Sequence, residues 1–311
     1  MPEITVRLRD LIARATAFDG SPPFSDGALV DPTRTVMWLG PAAAIYSSTE
    51  AEFVVDPDAR SQGHGTRLLE ALLTDHDMLF WAHGDNPAAR ALAASHGLHP
   101  VRELLHLEAP VPPPEPDPGT PGTPAFAKRR SSDAPAAVSS GNQADSAPIS
   151  VISQILPPGS GAEPVISEMR GYTPADADAW LELNARAFAG HPEQGAVTRA
   201  DLDALTAEPW FDADDFLLLW DSGTLIGYCW LKVADTEGEF YVVGVSPDRQ
   251  GEGLGRRLVE AGLTRLASRG IRTAHLYVEG DNTPALALYR SFGFTPRSVD
   301  VQYLWKYDTV R

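Results

Sequence analysis

The chain contains one segment twice. Val55-Asp56-Pro57-Asp58-Ala59-Arg60-Ser61-Gln62-Gly63-His64-Gly65-Thr66 lies over Val245-Ser246-Pro247-Asp248-Arg249-Gln250-Gly251-Glu252-Gly253-Leu254-Gly255-Arg256, so that position 55 falls on 245, an offset of 190. In each copy a strand-like apolar run passes through a glycine-rich turn into an amphipathic helix. Glycines in such a turn let backbone N–H groups face an anion at a helix N-terminus, which is how phosphate cradles are built. The repeat continues downstream. Gly84-Asp85-Asn86 matches Gly280-Asp281-Asn282, and Ala93-Ala94-Ser95-His96-Gly97-Leu98 falls on Tyr289-Arg290-Ser291-Phe292-Gly293-Phe294, now at an offset of 196. A unit of about 150 residues is a duplicated domain rather than a solenoid repeat.

A length of 311 residues suits two domains, and 43% hydrophobic residues suffice for two cores. No apolar run reaches membrane-spanning length and no leader-like segment opens the chain, so a soluble cytoplasmic protein without a membrane partner is expected. The single cysteine, Cys229, excludes an internal disulfide and a multi-cysteine metal site. Within Gly227-Tyr228-Cys229-Trp230-Leu231 it reads as a packed strand thiol. A net charge of −17 argues against nucleic acid as a partner, but not against a phosphorylated cofactor held by local donors. None of the histidines forms a zinc pattern with nearby carboxylates, and no metal is expected. A monomer is the expectation.

Between 110 and 164 the composition shifts. Twelve of the chain's 27 prolines fall between Pro110 and Pro158, with glycine, serine and alanine around them. Such a segment cannot bury enough apolar surface to offset its ordering entropy. The expected division is therefore an N-terminal domain over 1–109, a disordered linker over 110–164, and a C-terminal domain over 165–311. In the C-terminal copy Thr173-Pro174-Ala175-Asp176 starts a helix, with a cap, a proline at the first helical position and an acid three residues on. Strands are expected over 216–220, 225–233 and 239–245, a helix over 254–268, a strand over 272–278, a helix over 283–291 and a last strand over 298–307. The N-terminal copy reads as strands over 36–39, 43–47 and 51–55, a helix over 66–73, a strand over 78–82, a helix over 87–95 and a strand over 101–107. Its first half looks eroded.

Gln250-Gly251-Glu252-Gly253-Leu254-Gly255 fits the pattern Q/R-x-x-G-x-G/A. It follows a strand, opens a helix, and is succeeded by Asp281-Asn282, Tyr289 and Gly293-Phe294. In these features the chain resembles the GNAT family of acetyl-CoA-dependent N-acetyltransferases, and Arg60-Ser61-Gln62-Gly63-His64-Gly65 is a second, weaker match. The resemblance implies an α/β fold with a mixed sheet, in two tandem GNAT domains. A narrower likeness rests on Asn184-Ala185-Arg186-Ala187-Phe188-Ala189-Gly190-His191-Pro192-Glu193-Gln194-Gly195, Trp210-Phe211-Asp212, Trp230-Leu231-Lys232-Val233, Gly238-Glu239-Phe240-Tyr241-Val242-Val243-Gly244-Val245 and Leu276-Tyr277-Val278-Glu279-Gly280-Asp281-Asn282. In the first half it rests on Phe80-Trp81-Ala82-His83-Gly84 and Val101-Arg102-Glu103-Leu104. Together these resemble the mycothiol synthase family, tandem GNAT proteins that acetylate the cysteinyl amine of cysteinyl-glucosaminyl-inositol. The linker is longer, and the N-terminal copy shorter, than that family's usual pattern.

The resemblance implies roles for individual residues. Val243, Gly244 and Val245 would run along the acyl and pantetheine arm of acetyl-CoA, with a backbone N–H polarising the thioester carbonyl. Gln250, Gly251, Glu252, Gly253, Leu254, Gly255 and Arg256 would hold the pyrophosphate. Asn282, Thr283, Pro284, Ala285, Leu286 and Ala287 would line the rest of the cofactor. Glu193, Lys232, Glu239 and Tyr277 would contact the acceptor, with Asp26 reaching across from the N-terminal half. Glu239 would be the general base and Tyr289 the general acid. In the N-terminal copy Phe53, Val54, Val55, Ser61, Gln62, Gly63, His64, Gly65 and Thr66 would form a second, non-catalytic cofactor site. There Glu239 aligns with Thr49, unless the register slips to Glu50 or Glu52, and Tyr289 aligns with Ala93. Two other readings stay open: a tandem GNAT enzyme with an aminoglycoside or peptide amine as acceptor, and a non-catalytic acetyl-CoA-sensing protein.

Overall fold

A computed structural model of the chain describes residues 5–113, 168–190, 194–234 and 236–307. Most of the expected linker, and Glu193, lie outside the described residues. The N-terminal half comprises α1 (Val6–Asp19), α2 (Asp26–Val30), β1 (Thr35–Leu39), β2 (Ala42–Tyr46), β3 (Glu50–Val55), α3 (His64–Leu72), β4 (Met78–Ala82), α4 (Pro87–Ser95) and β5 (His99–Pro110). The C-terminal half comprises β6 (Glu168–Gly171), α5 (Ala177–Ala187), α6 (Arg199–Thr206), β7 (Phe216–Asp221), β8 (Thr224–Ala234), β9 (Glu237–Val245), α7 (Leu254–Ser268), β10 (Thr273–Glu279), α8 (Thr283–Ser291) and β11 (Thr295–Trp305). The expected elements are all present with ends shifted by a few residues, but the N-terminal copy is not eroded. Its opening helix α1 runs for 14 residues, capped by the Thr5 side chain and closed by Gly20 at φ 74°. Leu8, Leu11 and Ala15 form its buried stripe. The arginines and aspartate set among them hide that stripe from a reading by composition. Helix α6 was also unforeseen, although Thr198 and Asp201 cap it reciprocally.

All the strands join one 11-stranded sheet in the order β1-β2-β3-β4-β11-β5-β10-β9-β8-β7-β6. Each half builds an antiparallel meander that ends in one parallel pair, β3 with β4 and β9 with β10. The last strands are then exchanged. β11, from the C-terminal half, pairs with β4, while β5, from the N-terminal half, pairs with β10 along seven rungs. β5 and β11 pair with each other along nine. Neither half completes its own sheet.

Register and burial fix the faces. Phe240, Leu258, Leu266, Leu276, Leu286 and Tyr289 share the core under α7 and α8, and Leu68, Leu69, Phe80 and Val301 share the one under α3. On the opposite face Trp180, Leu183, Leu202, Phe216 and Trp230 pack under α5 and α6, and Leu8, Leu11, Ala28 and Ile45 under α1 and α2. Cys229 is fully buried among the first of these groups, and burial pushes its thiol pKa up. No helix among the described residues is long and apolar enough to cross a membrane.

The seating of α7 depends on Gly262. A Cβ at that position would stand 2.5 Å from a Phe240 ring carbon and 3.0 Å from Cys229 Sγ. Overpacking of this kind costs about 1–3 kcal/mol. Gly262→Ala is therefore expected to lower the urea midpoint by that much stability, and an unchanged midpoint in denaturation would show that α7 shifts freely on β8 and β9.

Candidate active site

The parallel pair β9/β10 is short. Among the described residues its rungs are Glu237 with Thr273, Gly238 with Ala274, and Glu239 with His275. β9 continues to Val245 against β8, and β10 continues to Glu279 against β5. The two strands thus splay from Glu239 onward. Backbone groups that β9 turns toward β10 beyond that rung face a gap instead of a strand. Val243, Gly244 and Val245 line its β9 side. Gly244 has to be glycine: a Cβ there would lie 2.5 Å from the Tyr228 ring. Tyr228 Oη in turn donates to Asn184 Oδ1 at 2.6 Å, and Asn184 Nδ2 donates to the Gln194 carbonyl at 2.6 Å. This buried chain ties β8 to the loop on which Glu193 was expected.

The cradle closes the far end of the gap. Gly251 and Gly253 take φ 87° and 79°, and α7 begins at Leu254. Left-handed backbone at both positions is accessible to glycine without penalty. Arg256 Nη2 donates to Ser291 Oγ at 3.0 Å, which joins the first turn of α7 to α8. Asn282 caps α8 by accepting from the Ala285 N–H at 3.1 Å, with Pro284 in the first turn. The glycine turn before α7 and the capped start of α8 each present backbone N–H groups at a helix N-terminus, the kind of donor set a pyrophosphate uses.

The expected catalytic pair is split between the two faces of the sheet. Gly238 and Phe240 look toward α7. By alternation Glu239 looks the other way, opposite Lys232 on β8. Lys232 lies over the Trp210 and Tyr241 rings, 5.3 and 5.9 Å from their centroids. Tyr289 belongs to the α7–α8 face, fully buried, with its ring 5.6 Å from that of Phe294. The gap between β9 and β10 is where groups from both faces can address one bond. Tyr277 is on the Glu239 face, two residues beyond the last rung. Asp26 is the first residue of α2, on that same face in the N-terminal half.

Several residues here were not anticipated from sequence. His106 of β5 stands opposite Tyr277, its ring stacked at 4.5 Å and 14°. Its Nε2 lies 3.3 Å from His275 Nδ1. Burial, with the charges of His275 and Arg297, pushes the His106 pKa down to about 4. Next along the same face Arg102 Nε donates to Glu279 at 2.6 Å. Alternation places each of these side chains on a face, but only the strand exchange brings β5 beside β10.

The N-terminal copy repeats the framework with other chemistry. β3 and β4 also pair at three rungs, the last joining Glu52 to Trp81. Glu52, not Thr49, therefore holds the rung that Glu239 holds; β3 ends at Val55, 3 positions past that rung, whereas β9 ends at Val245, 6 positions past it, only one of them the extra residue at Trp230/Leu231, so the simple offset breaks. Ser61 and Gly63 take φ 59° and 77°, like Gly251 and Gly253. Arg60 is tied to Asp19 by two bonds of 2.7 Å. Glu52 is 1% exposed and accepts from the Ser25 N–H and Oγ at 2.6 and 2.7 Å. His83 bridges it at 3.1 Å to Asp300 of β11 at 2.9 Å. Burial opposes the charged imidazolium, but the hydrogen bonds and charges of Asp300 and Glu52 outweigh it and hold the pKa at about 10. The Glu52 carboxyl, despite its burial, is held below the usual range by His83 and Ser25.

The raised pKa has a sign. His83 contributes stability that is fully present below the unfolded value near 6.5 and is lost as pH rises through about 10. The stability gap between the wild type and His83→Gln should therefore be wider just below pH 6.5 than at neutrality and shrink steadily from there toward pH 10. Urea titrations at several pH values measure it, and a gap independent of pH would mean that the imidazole is not charged in the fold.

Residues 178–294 match the profile of the acetyltransferase (GNAT) family. A mycothiol acetyltransferase of Clavibacter michiganensis subsp. michiganensis (strain NCPPB 382) is 40% identical over 325 residues, covering 97% of this chain and 92% of that protein. One of Clavibacter sepedonicus is 42% identical over 320 residues, with the same coverages of 97% and 92%. Among solved structures, a tandem GNAT protein from the clavulanic acid biosynthesis pathway superposes with a TM-score of 0.59 at 16% identity, covering 98% of this chain and 95% of that one. A repeated splay-and-cradle unit in one sheet, together with this extent of identity, means that the chain belongs to the mycothiol acetyltransferase family of GNAT proteins.

Proposed function

We propose that the protein transfers the acetyl group of acetyl-CoA to the cysteinyl amine of 1D-myo-inositol 2-(L-cysteinylamino)-2-deoxy-alpha-D-glucopyranoside, the last step of mycothiol formation. The observation that carries this reading is the likeness to mycothiol acetyltransferases across nearly the whole chain, at 40% identity over 97% of it. The geometry supports it independently. The glycine turn that opens α7 suits a pyrophosphate, and the gap beyond Glu239 suits an extended pantetheine arm. Residues 165–311 form the catalytic domain in this reading.

Glu239 takes the proton of the acceptor ammonium, directly or through a water, and leaves a neutral amine to attack the thioester carbonyl. The backbone of Val243, Gly244 and Val245 offers N–H groups where negative charge develops on the carbonyl oxygen. As the C–N bond forms and the C–S bond breaks, Tyr289 gives its proton to the departing thiolate from the other side of the sheet, and the proton shed by the nitrogen as it becomes an amide returns through solvent to the phenolate. Glu193, Lys232 and Tyr277, with Asp26 from the N-terminal half, contact the sugar–inositol part. The N-terminal copy binds acetyl-CoA without turning it over. Ala93 replaces the tyrosine, and Glu52 is already committed to Ser25 and His83.

Glu239→Gln keeps the shape but accepts no proton. It should lower kcat by about 10²–10⁴ and leave the acetyl-CoA KM nearly unchanged. Raising the pH should recover part of the loss, since more of the amine is then neutral. A near-normal rate at neutral pH would remove Glu239 from the base role. The acceptor itself is checked by comparing kcat/KM for cysteinyl-glucosaminyl-inositol, free cysteine and an aminoglycoside. A site that bonds hydroxyls rejects an acceptor lacking them, so equal turnover of cysteine would overturn the acceptor and leave the acetyltransferase standing.

A further inference from the structure

We propose that His106 is a positioning residue for the acceptor, holding the Tyr277 ring so that the N-terminal half completes the C-terminal active site through its exchanged strand. The proposal rests on the reading that Tyr277 contacts the acceptor. Its physical basis is where Tyr277 stands. The last rung between β10 and β9 is at His275. Two residues later β9 has splayed away from Tyr277, which pairs with β5 and packs at the margin of the core under α5 and α6. Directly opposite on β5 is His106. Directly opposed side chains on paired strands help to fix one another, by roughly 0.2–1 kcal/mol per pair. The His106 imidazole lies flat on the phenol at 4.5 Å and 14°, which blocks swings across that side.

The imidazole is itself braced. His106 Nε2 is 3.3 Å from His275 Nδ1, and the two rings meet edge to face at 5.3 Å and 72°. Such a pair shares one N–H when both rings are neutral. His275 occupies the rung of Glu239. One row of touching rings therefore leads from the rung of the proposed base through His275 and His106 to the phenol proposed to meet the acceptor. His106 also faces Ser298 of β11, so its strand is clamped on both edges. A group set between two paired strands is a rigid support for one beside a gap.

The stack, rather than a hydrogen bond to the acceptor, is what the proposal requires, and the test separates the two. His106→Leu keeps bulk without a flat ring; His106→Phe keeps the ring without nitrogens. With acetyl-CoA saturating, His106→Leu should raise the KM for cysteinyl-glucosaminyl-inositol roughly fivefold to tenfold, the span expected for an aromatic pair. Its kcat and acetyl-CoA KM should stay within about twofold. His106→Phe should keep the acceptor KM within about twofold of wild type. Should the leucine variant not fold, His106→Gln takes its place as the ringless arm. Equal damage from phenylalanine and leucine, or a loss confined to kcat, overturns the proposal. Tyr277→Leu separates this failure from that of the reading beneath it. An unchanged acceptor KM there means that Tyr277 does not meet the acceptor, and both fall. A raised KM there with a normal one in His106→Leu removes His106 alone. The double variant should be no worse than Tyr277→Leu, because a support has nothing left to hold; additive losses would show that His106 acts separately.

Discussion

The pairing of β5 with β11 is the constraint from which the rest of the architecture follows. Each of these strands ends one copy of the repeat, and each completes the sheet of the other copy. β5 lies between β11 and β10, and β11 between β4 and β5. A parallel pair that splays needs something firm on its outer side, since β10 leaves β9 after three rungs. β5 provides that firmness by pairing along the whole of β10. In a single-copy protein the support would have to come from the chain's own last strand. Here it comes from the other copy, so the splay in one half depends on the folding of the other half.

The exchange also fixes where polar chemistry can collect. Both cores under α3, α7 and α8 are apolar across the middle strands, with Leu107 and Val301 continuing them. On the other face the helix pairs α1/α2 and α5/α6 cover the two ends of the sheet, and the exchanged strands lie between them. That middle face carries His106, Arg102, Asp300 and Gln302 beside Tyr277 and Glu279. Its charges are paired: Arg102 with Glu279, and His83 with Asp300 and Glu52. A floor of hydrogen-bonding groups suits a polyhydroxylated ligand better than an apolar pocket would, because hydroxyls buried without partners cost about 1–3 kcal/mol each.

Much of this was legible in the sequence, and the missing part has a common cause. The cradles, the helices behind them and the catalytic-copy strands follow from local patterns: glycine placement, caps and alternation. Gln250 to Gly255 and Thr173 to Asp176 are signals of that kind. Helix α1 was missed because its stripe of Leu8, Leu11 and Ala15 is interrupted by Arg7, Arg9, Asp10 and Arg14. His106 and His275 were set aside as ordinary histidines. Both sit on alternating strands and face the right way, but nothing local says that residue 106 will oppose residue 277. Pairing between strands 171 positions apart is a property of the exchange, and periodicity carries no information about it. The Thr49 alignment failed for a related reason: a fixed offset assumes equal strands, and β9 runs from Glu239 to Val245 past its last parallel rung where β3 runs only from Glu52 to Val55.

Glu52 and Glu239 then show how one position in a duplicated fold acquires two roles. Both occupy the last rung before a splay, and both face away from the cradle helices. Glu239 stands half-buried opposite Lys232, at the mouth of the gap, where an ammonium can approach. Glu52 is buried, saturated by Ser25 and His83, with Arg34 3.6 Å away. A carboxylate already holding a charged imidazole and two serine donors has little remaining basicity to offer, and protonating it would leave His83 facing Asp300 alone. Removing one partner of such a buried set costs several kcal/mol, because the other charge is left uncompensated. The carboxylate at the rung where Glu239 is proposed to act as base is thereby used in the other copy to fasten β3 and β4 to β11. In the N-terminal half this position belongs to the clamp on the exchanged strand β11, which pairs through β5 with the strand that carries Tyr277.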